Sequence, residues 1–159
     1  MLKINVIAIG KVKEKYFSQG IEEYAKRLSR FCQFKIIELE EETFKKESEA
    51  NVSVSLNRER DRILACPEFK GHVIVMAIEG EKVSSEGFAK KIKTLIDQGK
   101  GVITFVIGSS FGISEEIKKR ADQMLSFSQM TFPHTMFRLI LTEQIYRAFC
   151  INQGSAYHK

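Results

Sequence analysis

Three apolar runs constrain this chain more than any other feature of its sequence: LKINVIAIG (Leu2–Gly10), GHVIVMAIEG (Gly71–Gly80) and GVITFVIG (Gly101–Gly108). Each reads as a buried strand that stops at a glycine. The last is apolar on both faces and leaves no side for water. Such a strand belongs in the middle of a parallel sheet with helices over both faces.

The intervening segments supply the helices. In EKYFSQGIEEYAKRLSRF (Glu14–Phe31) the apolar residues Phe17, Ile21, Tyr24, Leu28 and Phe31 recur at spacings of four and three, an amphipathic helical period. FKIIELEE (Phe34–Glu41) reads as a strand, Glu42–Val54 as a loop or a frayed helix, and LNRERDRILACP as a helix stopped by Pro67. Ser84 and Ser85 open a helix that runs to Gly99, and Ser114 with Glu115 and Glu116 caps another. QMLSFSQM (Gln123–Met130) is a short strand or extended loop. Strand and helix thus alternate about five times, which predicts one α/β domain over residues 1–159 with a mostly parallel sheet.

The last helix differs from the others. Met136, Phe137, Leu139, Ile140, Leu141, Ile145, Tyr146, Ala148 and Phe149 wrap every side of its wheel, yet it carries Arg138, Glu143 and Arg147. Glu143 and Arg147 stand at i and i+4 and can pair. Arg138 has no local partner, which points to a subunit interface or an anionic ligand.

Composition narrows the class. No apolar run reaches the roughly 20 residues of a membrane span, and the order of apolar run before lysines is wrong for a secretory signal. Cys32, Cys66 and Cys150 are scattered and odd in number, as expected of reduced thiols in a cytoplasmic protein without a disulfide framework or a metal site. Lys and Arg number 25 against 20 Asp and Glu, a net +5. Lys11, Lys13, Lys15, Lys26, Arg27 and Arg30 crowd the start of the chain, a distribution that permits a phosphate-facing surface.

Ligands of open parallel sheets bind beyond the carboxyl ends of the strands. Three exits therefore matter: Ile78-Glu79-Gly80, Ile107-Gly108-Ser109, and Ser126 to His134. In VIGSSFG (Val106–Gly112) two glycines permit a turn that approaches a ligand closely. No dinucleotide or P-loop signature is present. The tail ends in Tyr157, His158 and Lys159, groups able to stack on a base, shuttle a proton and hold a phosphate.

INVIAIGKVKEKYF, RILA, SSEGFA, FVIGSSFG, LSFSQMTFPH, YRAF and the terminal AYHK, taken together, resemble one family along the whole chain. It is the small bacterial ribosomal RNA large-subunit methyltransferase H family of the SPOUT class, which acts on N3 of a pseudouridine in 23S RNA. The resemblance implies a C-terminal trefoil knot, a homodimer, S-adenosylmethionine as methyl donor and the ribosome as partner, with no membrane and no metal. By family pattern the donor is held by Met76, Gly80, Gly108, Phe127, Ser128, Gln129, Met130, Thr131 and Phe132. Catalytic and substrate positions map to His134, Arg138, Tyr157 and His158, supported by Glu143 and Arg147. The tail of one subunit is expected to complete the site beside its partner.

Methylation at N3 requires the loss of a weakly acidic imide proton. On the family reading His158 takes that proton, Arg138 stabilises the oxyanion and Tyr157 positions the ring. The chain departs from the family pattern at Ser109, where a second glycine is usual, and at Arg60, where a small residue is usual. A non-catalytic ribosome-binding or assembly protein with the same fold is the alternative these departures allow.

Overall fold

The structure is a computed structural model that describes residues 1–159. Ten elements follow one another: β1 (Lys3–Ile9), α1 (Lys15–Leu28), β2 (Gln33–Leu39), α2 (Glu49–Ala65), β3 (His72–Lys82), α3 (Ser85–Asp97), β4 (Val102–Ile107), α4 (Glu115–Arg120), β5 (Gln123–Ser126) and α5 (His134–Asn152). The strands form one sheet in the order β2-β1-β4-β3-β5. All four ladders are parallel, with β1 running beside both Ile4↔Phe34 and Ile4↔Ile103.

Both faces are covered, as the doubly apolar strands require. Alternate residues Ile4, Val6, Ala8, Ile103, Phe105 and Ile107 point to one side, where α1, α3 and α5 supply Leu28, Phe88, Ile92, Leu141 and Ile145. Ile7, Ile9, Val75 and Val106 point to the other side, under Ile63 of α2 and Ile117 of α4. The period-two alternation of a strand and the two helical layers are therefore one arrangement seen at two scales.

Local chemistry sets the helix starts. Ser84, Ser48 and Ser114 each accept a bond from the backbone N–H three residues on, at 3.0, 3.2 and 3.4 Å. Ser48 divides Glu42–Val54, read as a loop or a frayed helix: its cap starts α2 at Glu49, so the first seven residues are loop and the last six are helical. α5 is packed on several sides, which explains its apolar wheel. Leu141, Ile145 and Phe149 are buried in the core it shares with the sheet, and Leu139 lies over Gly20 of α1, where an added Cβ would stand 3.0 Å from its Cδ1. All three cysteines are free and buried, and burial pushes the Cys32 thiol up to about 12. No helix is long and apolar enough to cross a membrane.

One irregularity positions the site. The β3–β5 ladder runs from Ile74↔Gln123 to Met76↔Leu125, then resumes at Glu81↔Leu125. Ala77 to Gly80 therefore leave the ladder and return, so the end of β3 arches away from β5. At Gly80 an added Cβ would stand 2.7 Å from the backbone of Met124 and Leu125, so only glycine lets the arch close.

Candidate active site

A cleft of about 670 Å³ opens at the carboxyl ends of β3, β4 and β5. This is the edge at which open parallel sheets bind ligands, and the volume suits a nucleoside-sized molecule. The arch of β3 contributes Met76, Ala77, Ile78 and Glu79, and the turn after β4 contributes Gly108, Ser109 and Gly112. The connection from β5 to α5 contributes Phe127, Ser128, Met130, Thr131 and Phe132, and the first residue of α5 contributes His134. Eight of the residues expected at the site thus share one cavity: Met76, Gly108, Phe127, Ser128, Met130, Thr131, Phe132 and His134. Gly80 does not line it and acts through the arch it closes. Gln129 is exposed beside the lining residues Ser128 and Met130.

The turn is tight because it pairs with itself. Gly112 N–H donates to the Ser109 carbonyl at 2.9 Å, and a Cβ on Gly108 would stand 2.3 Å from the Gly112 carbonyl oxygen. Gly112 has a φ of +88°, in the left-handed region that favours glycine. Ser109 needs no such backbone, so the serine in place of a second glycine is accommodated without strain.

Sequence reasoning missed Lys118, Ile113 and Phe137 in this cavity. Lys118 lies four residues after the Ser114 cap, which places it one turn into α4 and above the exit of β3. There its ammonium bonds Glu79 and holds that carboxyl below the usual range, while Glu79 raises the lysine. The cleft thus combines apolar walls with one anion, one cation, hydroxyls and a backbone turn.

The remaining expected residues lie elsewhere in the same chain. Arg138 is 1% exposed, and its Nη1 donates to Glu38 Oε2 at 2.6 Å. Its Nη2 reaches the carbonyls of Gly10 at 3.2 Å and Ile9 at 3.4 Å. Its missing partner was a strand carboxylate one hundred residues away, which no local pattern could supply. In this arrangement Arg138 ties the exits of β1 and β2 to α5, one turn after His134.

The tail packs against α5. Tyr157 O–H donates to Glu143 Oε1 at 2.9 Å, its ring meets Tyr146 edge-on at 4.9 Å, and the Arg147 guanidinium lies 4.8 Å from its centre. Arg147 also donates to His158 Nδ1 at 3.1 Å, which leaves Nε2 as the N–H that faces Glu86 at 2.7 Å. Tyr157 and His158 thus sit beside the C-terminal half of α5. Nine residues separate Glu143 from His134, about 13.5 Å at the helical rise, and neither Tyr157 nor His158 lines its own chain's cleft.

A family described as predicted SPOUT methyltransferase matches residues 2–158. The chain belongs to the SPOUT methyltransferase family. It is 53% identical to the ribosomal RNA large subunit methyltransferase H of Latilactobacillus sakei, over 99% of this chain and 100% of that protein. It is 51% identical to the protein of the same name from Streptococcus thermophilus, with the same coverage. A probable methylase family protein from Haemophilus influenzae shares the fold at a TM-score of 0.52 and 14% identity, covering 99% of this chain and 70% of that one.

Proposed function

We propose that this protein methylates large-subunit ribosomal RNA at N3 of a pseudouridine, with S-adenosylmethionine as donor. What carries the reading is the gathering of the β3, β4 and β5 exits into one nucleoside-sized cleft, in a chain similar over its full length to named large-subunit methyltransferases.

The residues present fit the donor. Met76, Ile107, Leu125 and Phe132 supply apolar walls for a base, Ser128 and Thr131 supply hydroxyls, and Glu79 with Lys118 can meet a ligand's ammonium and carboxylate. Bound there, S-adenosylmethionine supplies a methyl group on a positively charged sulfur. The chain's own residues then hold the acceptor in line and exclude water, an alignment worth several kcal/mol in well-oriented systems. His134 stands at the mouth, where an added Cβ on Gly10 would lie 3.5 Å from its Nε2.

Because neither tail residue lines its own chain's cleft, the reading takes a homodimer in which Tyr157 and His158 of one protomer serve the cleft of its partner. His158 Nδ1 is the basic nitrogen of that group, and it becomes free to take the imide proton when Arg147 turns aside. Arg138 sets the frame and not the oxyanion. The trefoil threading of the last third belongs to the same proposal.

RNA would approach over the β1–α1 connection. Lys11, Lys13 and Lys15 are exposed and form no ion pair, and Tyr16 beside them is 68% exposed. That combination of cations and an open ring suits phosphates and an unstacked base. A small domain with few base-reading groups fits the assembled ribosome as substrate and the cytoplasm as its place of work. The test is transfer of labelled methyl to ribosomes lacking the modification, with free RNA alongside. Label in one large-subunit pseudouridine supports the enzyme. A folded protein that labels neither substrate would favour a ribosome-binding role instead.

A further inference from the structure

Glu59 is a carboxylate in the wrong place for a surface helix. It lies in the middle of α2 and is 2% exposed, and burial pushes its carboxyl above the usual range. Its two oxygens are divided between two different loops. Oε1 accepts from the Ser109 hydroxyl at 2.7 Å, in the turn that lines the cleft. Oε2 accepts from the backbone N–H of Glu42 at 3.2 Å, in the connection from β2 to α2. The Ser109 oxygen in turn accepts from Phe111 N–H at 3.3 Å.

Two further contacts join the same loops from outside. The Phe44 ring stacks on Phe111 at 5.4 Å with an interplanar angle of 21°. Arg58 and Arg62 of α2 each donate to the Glu42 carboxylate at 2.9 Å. The β2–α2 connection is thereby strapped to α2 by arginines, to the turn by a ring stack, and to both by Glu59. A family-type glycine at 109 would have no hydroxyl to give, so this link exists because the chain carries serine there.

We propose that Glu59 is a positioning residue for the methyl donor. Through Ser109 it sets the cleft turn, and through Glu42 it makes the β2–α2 connection move with that turn, so donor affinity and the order of residues 41–46 rise together. The inference rests on the reading of the cleft as the donor site. Removing the hydroxyl leaves a buried carboxylate short of a partner. Part of that loss should appear in binding.

The experiment measures S-adenosylmethionine affinity by calorimetry and backbone hydrogen exchange of residues 41–46 with and without donor. It compares the parent, Ser109→Ala, Glu59→Gln and the double variant. In the parent, donor should slow exchange across 41–46. Ser109→Ala should weaken donor binding about tenfold, or about 1.4 kcal/mol. It should also abolish the slowing. The double variant should bind no worse than the poorer single one, because both remove the same link. Unchanged affinity and unchanged protection in a Ser109→Ala variant of lower melting temperature would make the link merely structural and overturn the proposal. Thr131→Trp, which fills the cleft from an exposed loop, checks the site itself. If it leaves donor affinity intact, the cleft reading fails and the inference falls with it.

Discussion

At the scale of single residues, burial separates groups that look alike in sequence. Arg138 and Arg147 stand nine positions apart on one helix, yet the first is sealed under the exits of β1 and β2 and the second holds the tail. Removing the guanidinium in Arg138→Met strips Glu38 of its cation and two backbone carbonyls of a donor. Breaking a buried pair costs roughly 3–5 kcal/mol, and the open side of Glu38 places this one near about 3 kcal/mol. Denaturant unfolding should register that loss, and a variant as stable as the parent would show that the pair holds nothing together. Tyr157 gives a pH signature. Burial first, then the Tyr24 hydroxyl, raise its phenol above the ordinary value. A raised phenol in the folded state stabilises fully below pH about 10 and loses that contribution as pH climbs beyond it. Tyr157→Phe should therefore soften the alkaline fall in stability. Below pH about 9 the methylation profile should keep its shape, since a phenol near 10 or above stays neutral there. A limb that vanished below that point would assign Tyr157 a proton-transfer role.

At the scale of elements, the arch of β3 shows how a strand makes a site. Strands β3 and β5 pair, part over Ala77 to Gly80, and pair again at Glu81, opposite the same Leu125 that Met76 faces. Gly80 allows this by bringing its backbone against Met124 and Leu125. Gly80→Ala puts a methyl where backbone already stands, and overpacking of that kind costs about 3 kcal/mol. Its melting temperature should fall by roughly 6–12 °C at this chain length. Donor affinity should fall as well, because the arch carries Met76 and Glu79. A normal melting temperature would mean that the ladder can shift to absorb the methyl.

At the scale of the whole molecule, the tail packs on α5 from its middle onward and does not line the cleft, so on this reading a working site needs two chains. Thr131→Trp blocks a cleft and spares the tail, whereas His158→Ala does the reverse. Each alone should be inactive. Mixed one to one and allowed to exchange subunits, half the dimers are mixed and each has one complete site, so about a quarter of parental activity should return. Continued inactivity of the mixture would place cleft and tail of the same chain together. The sequence by itself determined the sheet, the two helical layers, the capped starts and the strand exits, because each is written in short-range pattern: apolar runs, a period of three to four, a serine before a helix. It also marked eight of the residues that line the cleft. It could not show that Glu38 answers Arg138, that Glu59 answers Ser109, or that Lys118 crosses to Glu79. Those pairs join residues 39 to 100 positions apart. Only the order of strands, which the tertiary structure decides, brings such charges close enough to replace the water each loses.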